Sequence, residues 1–198
     1  MSELYTDQFF ANRARHHSKV ESAVQALLEI LESEFWMYDI HSVIDVGCGD
    51  AHWLKIIRSM SDGIHHVMGI ELNCNCLPYT DDIPVIIHDL REPLDLKMQF
   101  GLVICLEVAE HLEEEYAEQL VKFLASLANP CILFSAAHPG QGGIGHKNLQ
   151  PPEYWLELFQ DCGVRLDETT TSAICRRWER QRVMKWLVEN VMFLYKGA

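Results

Sequence analysis

The fold of this chain is decided by the stretch Ser42-Val43-Ile44-Asp45-Val46-Gly47-Cys48-Gly49-Asp50. It begins with a short run rich in β-branched residues and ends with two glycines, a pattern typical of a buried strand that runs into a tight turn. Asp50 then stands where a helix N-cap is expected, and Ala51–Met60 is compatible with a helix. Glycines at such a turn let a ligand approach the backbone, and the N-terminus of the next helix favours a negatively charged group. The stretch therefore predicts a strand, a ligand-binding turn and a helix.

The acidic residue in this stretch distinguishes two classes of ligand. A dinucleotide fingerprint requires a third glycine three residues after the second, and His52 occupies that position. Asp45 lies two residues before the first glycine, and Asp-x-Gly-x-Gly resembles the first motif of the class I S-adenosylmethionine-dependent methyltransferases. That motif usually ends in one further glycine, which Ala51 replaces here. The resemblance implies S-adenosylmethionine as the cofactor and S-adenosylhomocysteine as its product.

The composition is that of a globular protein, with 48% hydrophobic and 23% charged residues, and we expect one domain over residues 1–198. The formal net charge of −13 argues against a nucleic-acid partner, because such binding requires neutralisation of phosphates. No apolar run approaches the roughly 18 residues of a membrane span, and the N-terminus lacks the pattern of a signal peptide. Seven cysteines, an odd number, favour reduced thiols. We therefore expect a cytoplasmic protein without a membrane partner, and its oligomeric state remains open.

Two further strands are predicted to end in acidic residues. The segment His66–Glu71 ends in a carboxylate within one strand–helix–strand unit of Asp45, where it could accept both hydroxyls of a ribose. The segment 84–88 is a third strand and is followed by Asp89 and Leu90. The resemblance implies that Asp89 bonds the adenine amino group and that Leu90 offers backbone and apolar contact.

The fourth strand, Phe100–Leu106, is almost continuously apolar, as expected for a parallel strand buried on both faces. The string Glu107-Val108-Ala109-Glu110-His111-Leu112 follows it and precedes a predicted helix. This string resembles the segment after the fourth strand of many small-molecule methyltransferases, including the ubiquinone-biosynthesis O-methyltransferases. The cofactor-binding residues that the resemblance implies are Asp45, Gly47, Cys48, Gly49, Glu71, Leu72, Asp89, Leu90 and Leu106.

The second half of the chain continues the alternation of helices and strands. A fifth strand is predicted over Cys131–Ala136, and it leads into the loop 137–148, which carries four glycines and two histidines. Loops at the carboxyl ends of parallel strands bind ligands, so we expect this loop to contact the substrate. The pattern Gly-His-x-Asn-x-Gln-Pro-x-x-Tyr-Trp that begins at Gly145 resembles one found in bacterial methyltransferases near carbohydrate or natural-product genes. Later elements are expected as a helix from Pro152, a strand over 164–168, a helix over Ser172–Glu189 and a strand over Val191–Tyr195.

The sum of these elements predicts an α/β fold, namely a doubly wound, mostly parallel sheet of seven strands with helices on both faces and an antiparallel last strand. Residues 40–196 would form this Rossmann-like core and residues 1–35 an N-terminal helical cap. The cap contains an amphipathic helix from Ser18 to about Glu34, and aromatic residues between Tyr5 and His16 could form a flap over the site. A basic cluster lies on the predicted helix near the C-terminus and consists of Arg176, Arg177, Arg180, Arg182 and Lys185.

The function implied by the resemblance is transfer of a methyl group from S-adenosylmethionine to an oxygen or nitrogen of a small molecule, such as a carbohydrate or natural product. His111 and His146 are the candidate catalytic residues, because an imidazole with a near-neutral pKa suits removal of a proton from the acceptor. One alternative is a metal-dependent 2′-O-methyltransferase acting on RNA. Another is a module that binds the cofactor without catalysis. The feature that suggests it is Ala51, which stands where the motif usually has a glycine.

The same residues could bind a metal ion or act without one. Glu107, Glu110 and His111 would lie on one helical turn, and His146 or His138 could add a further imidazole to form a divalent-cation site. The small-RNA 2′-O-methyltransferases, which the string resembles, use such a set. A loop with four glycines, however, is expected to fix its histidine poorly before substrate arrives. We therefore expect from the sequence that no metal is bound.

Overall fold

The computed structural model describes residues 17–33 and 40–197, and the strands within these ranges form one seven-stranded sheet. Its order is β3-β2-β1-β4-β5-β7-β6, and β7 runs antiparallel to both of its neighbours while the other pairings are parallel. This arrangement confirms the predicted fold. The strands are β1 (Ser42–Val46), β2 (His66–Glu71), β3 (Val85–Ile87), β4 (Phe100–Leu106), β5 (Ala128–Ser135), β6 (Val164–Leu166) and β7 (Met192–Lys196).

Helices cover both faces of the sheet because the side chains of each strand alternate between two hydrophobic cores. Val43 of β1 faces the core formed with α1, α2, α5 and α6, whereas the next residue, Ile44, faces the core formed with α3 and α4. None of the helices in the described ranges is long and apolar enough to cross a membrane. The helices are α1 (His17–Ser33), α2 (His52–Met60), α3 (Ala117–Leu127), α4 (Pro152–Asp161), α5 (Glu168–Arg180) and α6 (Lys185–Asn190).

The predicted helix Ser172–Glu189 is wrong in one respect, because the structure divides it into α5 and α6. Arg182 adopts a left-handed conformation with φ of 56°, and the amide of Val183 donates to the Trp178 carbonyl at 3.0 Å, which closes the end of α5. Burial of Val183 and Met184 offsets the left-handed turn. The predicted basic cluster is therefore spread over two helices and the turn between them.

Other boundaries also differ from the sequence prediction. Strand β6 ends at Leu166 because the Asp167 side chain accepts from the Thr170 amide at 2.9 Å and caps α5. The helix expected directly after the stretch 107–112 begins only at Ala117. Two short 3₁₀ turns, Ala109–His111 and Glu114–Tyr116, precede it. Strand β5 starts at Ala128, before the cis Asn129–Pro130 bond, and ends at Ser135. The proposed flap between Tyr5 and His16 and the predicted end of the first helix at Glu34 lie outside the described residues.

We predict that Gly69→Ala destabilises the fold, because Gly69 is where β2 passes beneath the glycine turn. A Cβ there would lie 2.5 Å from the Cys48 Sγ and 3.2 Å from a methyl group of Val85. Overpacking of this kind costs about 1–3 kcal/mol, which urea unfolding would measure. The double variant Cys48→Ala/Gly69→Ala should recover part of the loss, since it removes the sulfur.

The matched control is Gly63→Ala, whose added Cβ would meet only the Ser61 Oγ at 3.9 Å. Equal free energies of unfolding for the Gly69 and Gly63 variants would contradict the packing argument.

Candidate active site

A cavity of about 310 Å³ opens at the carboxyl ends of β1, β2 and β4. This is the edge at which open parallel sheets bind ligands. Its wall includes parts of the glycine turn, of the segments after β2, β3 and β4, and of the helices α1 and α6. The lining residues are His17, Val20, Gly47, Gly49, Asp50, His52, Trp53, Ile70, Glu71, Leu72, Asp89, Leu90, Leu106, Glu107, Val108, His111, Leu112, Met184, Trp186 and Leu187.

The glycine turn is bonded to the neighbouring strand through its backbone. The amides of Gly47 and Cys48 both donate to the Ile70 carbonyl, at 2.8 and 3.0 Å. Gly47 has a φ of 82°, and a Cβ on it would lie 2.4 Å from a methyl group of Val108. Glycine is therefore required at this position both by the backbone conformation and by the close approach of the segment after β4.

The start of α2 differs from the sequence prediction. Asp50 is not the N-cap. Ala51 occupies that position in a left-handed conformation with φ of 56° and makes no side-chain capping bond. This conformation explains why a glycine suits the position, and an alanine there is disfavoured by about 1–2 kcal/mol.

The side chain of Asp50 contacts the Nε2 of His17 at 3.1 Å, and the His17 ring stacks on His52 with centroids 3.6 Å apart. Burial is the main cause that lowers the pKa of His52.

Glu71 lies beside the glycine turn, as the sequence predicts. Its Oε2 accepts a hydrogen bond from the Gly49 amide at 2.9 Å, and its Oε1 accepts one from the Asn73 amide at 3.1 Å. These two bonds fix the direction of the carboxylate, and each oxygen retains a lone pair for a further donor. Glu71 therefore presents an oriented acceptor to the cavity.

Asp89 and Leu90 line the cavity beyond the end of β3. The carboxylate of Asp89 is bound by Arg91 through its backbone amide at 3.0 Å and its guanidinium at 2.5–3.1 Å. The side-chain bond from Arg91 is the main cause that lowers the pKa of Asp89. Asp89 thus remains an ionised acceptor at the end of the cavity opposite the segment after β4.

Seven of the nine predicted cofactor-binding residues line the cavity, and two do not. Asp45 is buried at the end of β1, in register with Gly69 and Ile104 of the flanking strands. Cys48 is buried with its Sγ directed toward Gly69. Both residues therefore shape the turn from beneath, through packing and through their backbone.

Sequence reasoning missed the outer wall of the cavity, which α1 and α6 supply through His17, Val20, Met184, Trp186 and Leu187. His17 begins α1, next to the segment that was predicted as a flap. Met184 lies in the break between α5 and α6, which the sequence analysis placed inside a single helix. The break contains neither glycine nor proline, so the usual signals of a helix end are missing.

Two neighbouring carboxyl groups follow β4: Glu107 is half-buried and lines the cavity, whereas Glu110 is buried and does not line it. Glu107 has a left-handed φ of 56°, and its Oε1 accepts from the Asn190 amide nitrogen at 3.1 Å. Burial raises the pKa of Glu107, while hydrogen bonds from Asn190 and Ser135 oppose that shift. Glu110 is fully buried, and burial together with the charge of Glu107 raises its pKa to about 8. A strained backbone and two adjacent acids with raised pKa values are features that occur at functional sites.

The two candidate catalytic histidines meet beside Glu110. The rings of His111 and His146 make an edge contact with centroids 5.0 Å apart, and the Nε2 of His146 lies 4.0 Å from a carboxylate oxygen of Glu110. His111 lines the cavity, whereas His146 does not. Burial is the main cause that lowers the pKa of His111. His138 points elsewhere, with its Nδ1 3.2 Å from the Pro139 carbonyl.

The chain matches a known protein family over most of its length. Residues 11–190 match the family described as "Methyltransferase domain". The chain belongs to this methyltransferase family. The family expected from the motifs of the glycine turn and of the segment after β4 is therefore confirmed.

Solved structures with a similar fold include several methyltransferases at low identity. A sugar N-methyltransferase from Streptoalloteichus sp. ATCC 53650 has a TM-score of 0.68 and 15% identity, with 97% of this chain and 92% of that one covered. An amino pentose methyltransferase from Micromonospora echinaspora, solved with S-adenosylmethionine, has a TM-score of 0.67 and 15% identity, with 94% and 95% covered. The magnesium protoporphyrin IX methyltransferase of Synechocystis PCC 6803, solved with S-adenosylhomocysteine, has a TM-score of 0.62 and 17% identity, with 93% and 85% covered.

One curated relative is a nucleic-acid enzyme. A ribosomal RNA large subunit methyltransferase E from Methanoregula boonei is 29% identical over 102 residues. The match covers 50% of each protein, so the chain spans about half the length of this relative.

We predict that Glu71→Ala weakens binding of S-adenosylhomocysteine by about tenfold or more while the fold survives. Charge-assisted hydrogen bonds from two ribose hydroxyls are worth about 1.5–3 kcal/mol each, and calorimetry would measure their loss.

The matched control is Glu92→Ala, which removes an exposed carboxylate outside the cavity and should leave the affinity unchanged. If a folded Glu71→Ala protein binds as tightly as the Glu92 variant, the carboxylate is a strand-end residue without a role in binding.

Proposed function

We propose that this protein is an S-adenosylmethionine-dependent methyltransferase that acts on an oxygen or nitrogen atom of a small molecule. The observation that carries the proposal is the arrangement of one cavity: a glycine turn, an oriented Glu71 and an ionised Asp89 on adjacent strand ends. A nucleoside with an amino acid attached to its ribose matches this order. The adenine would lie near Asp89 and Leu90, the ribose at Glu71, and the methionine moiety at the glycine turn.

The acceptor is expected at the end of the cavity that α6 covers. Met184, Trp186 and Leu187 supply an apolar wall there, and Glu107 and His111 supply the polar one. The volume of about 310 Å³ is at the lower end of the usual range for ligand pockets, roughly 300–1,000 Å³. Because the cofactor would occupy most of this volume, the space left at the end near α6 suits a small-molecule acceptor. Neighbours of similar fold whose names specify sugars or a porphyrin are consistent with this class.

Methyl transfer depends mainly on alignment of the cofactor with the acceptor. The nucleophilic oxygen or nitrogen attacks the methyl carbon in line with the breaking carbon–sulfur bond, and the sulfonium leaves as the neutral thioether of S-adenosylhomocysteine. Holding both partners in this geometry lowers the barrier by removing the entropy loss of their encounter. An acceptor hydroxyl or ammonium must also lose a proton, and Glu107 and His111 are the lining groups able to accept it.

An RNA acceptor is the second candidate, and the archaeal ribosomal RNA methyltransferase favours it. The net charge of −13 weighs against it because RNA binding requires neutralisation of phosphates. Arg177 and Lys185 of the basic cluster are paired with Glu29 and Glu189, which reduces the positive charge available for RNA.

We predict that the chain binds S-adenosylhomocysteine at one site and does not bind NAD. The reason is that Glu71 and Asp89 fit an adenosine, while no third glycine follows the turn to receive a pyrophosphate. Calorimetry with both ligands on the same preparation measures this. Binding of NAD without binding of S-adenosylhomocysteine would end the methyltransferase proposal.

We further predict that label from methyl-labelled S-adenosylmethionine is transferred to members of a panel of sugars, amino sugars and phenols, and not to RNA. The negative control is Gly47→Ala, whose Cβ cannot fit beside Val108 and whose transfer should fall to background. Transfer to RNA alone would favour the second candidate. Cofactor binding without transfer to any acceptor would favour a non-catalytic module.

A further inference from the structure

Three potential metal ligands converge at the edge of the cavity, which His111 lines while Glu110 and His146 do not. Glu110, His111 and His146 each offer one ligand atom, and these atoms all lie within 4.8 Å of one another. We propose that Glu110, His111 and His146 bind a divalent transition-metal ion such as Mn²⁺ or Co²⁺. The proposal goes beyond methyl transfer, and it rests on the environment of each ligand and on how the glycine-rich loop is held.

Glu110 has the environment of a carboxylate that lacks its counter-ion. Its side chain is 0% exposed, and neither carboxylate oxygen has a well-formed hydrogen bond in the part of the chain that the structure describes. The backbone amides of Glu110 and Ala137 lie near enough to oppose the rise in its pKa, but they do not offset the burial. A buried carboxylate without a well-formed hydrogen bond is unfavourable by several kcal/mol or must hold a proton. A cation between Glu110 and the two imidazoles would give the carboxylate a partner and offset its charge.

The tautomer of His111 leaves the correct nitrogen available. Its Nδ1 lies 3.2 Å from the carbonyl oxygen of Gly145. Because a carbonyl can only accept, Nδ1 must carry the hydrogen, and the lone pair of Nε2 is therefore free to bind a metal. Metal-binding histidines commonly donate their second ring nitrogen to a carbonyl in this way, which fixes the orientation of the ring.

His146 completes the group from the glycine-rich loop. Its side chain is 13% exposed, its Nδ1 is buried without a hydrogen-bond partner, and its Nε2 is the atom near Glu110. Gly143 makes this position possible, because a Cβ there would lie 2.1 Å from the His146 ring. The loop is thus folded closely around this histidine.

The glycine-rich loop holds His146 in place, contrary to the expectation from the sequence on which a metal-free site rested. The backbone amides of Lys147 and Asn148 both donate to the carbonyl oxygen of Glu110, at 2.7 and 3.1 Å. The Lys147 side chain pairs with Glu113, and Gln141 at the other end of the loop bonds to Asn190. The loop is therefore fastened on both sides of His146, and the fastening point beside it is one of the proposed ligands.

The donor set selects the type of cation. Two imidazoles and one carboxylate suit Mn²⁺, Fe²⁺, Co²⁺ or Zn²⁺, whereas Mg²⁺ and Ca²⁺ prefer oxygen ligands throughout. Three protein ligands also leave coordination positions for water or for a polar atom of the acceptor. Since His111 lines the cavity, a bound cation would be accessible from the acceptor end and could lower the pKa of an acceptor hydroxyl. Glu107 would then remain as the proton acceptor.

The test is direct metal binding by the untagged full-length chain after removal of metals by chelation. Electron paramagnetic resonance would follow the loss of the free Mn²⁺ signal, and visible absorption would follow bound Co²⁺. We expect one equivalent of either ion to bind, and we expect Glu110→Gln and His146→Gln each to weaken binding by about tenfold or more. Because Glu110→Gln alters a buried acid and could fail to fold, His146→Gln provides an independent test. Circular dichroism checks that both variants are folded.

The matched control is His138→Gln, which removes the other histidine of the same loop and should bind metal as the unaltered chain does. Failure of the unaltered chain to bind either ion would overturn the proposal. Equal binding by the unaltered chain and both ligand variants would overturn it as well, because the ion would then be held elsewhere, for example by cysteines. Calorimetry with S-adenosylhomocysteine on the metal-free protein keeps the two proposals separate, since cofactor binding does not involve the three ligands.

Discussion

The site depends on one backbone carbonyl, that of Ile70. It accepts the amides of both Gly47 and Cys48 and so joins the turn after β1 to the end of β2. The next residue along the chain is Glu71, whose carboxylate returns to the amide of Gly49. Turn, strand end and acidic side chain are therefore positioned by one another. This mutual arrangement requires close backbone approach, which explains why glycine lies at Gly47 and Gly69, where any Cβ would collide with a neighbouring side chain.

The two ends of the cavity differ in their electrostatics, as expected if one end only binds a ligand and the other takes part in the reaction. Near Glu71 and Asp89 the acids are satisfied by backbone amides and by Arg91, as suits a site that only binds. After β4, Glu107 and Glu110 lie close together with raised pKa values, and Glu107 has a strained backbone. Such an arrangement is unfavourable for the fold, and it persists where the surrounding structure enforces it. This unfavourable contribution to stability is consistent with an end of the cavity that takes part in the reaction or binds an ion.

The order of the motifs was sufficient to predict the fold and most of the residues that line the cavity near Glu71 and Asp89. Parallel strands bring their carboxyl ends to one edge, so Gly47, Glu71, Asp89 and Leu106 were expected together once each was placed at a strand end. The outer wall was not predictable in the same way. His17 and Met184 are far apart in the sequence and are brought to the cavity by helix packing, in which the indole of Trp178 donates to the Ala23 carbonyl at 2.9 Å and joins α5 to α1. No local pattern records such a contact.

The sequence by itself determined which residue types lie at the strand ends, because hydrophobic periodicity and turns at glycine are local properties. It also identified Glu107, Glu110 and His111, together with His146 or His138, as residues capable of meeting, and Glu110, His111 and His146 are the three that do. Only the tertiary structure decided that they do meet. The loop that carries His146 takes its position from the carbonyl of Glu110, which accepts the amides of Lys147 and Asn148. A stretch with four glycines has no preferred local conformation, so its shape comes from the bonds that the rest of the fold offers to it.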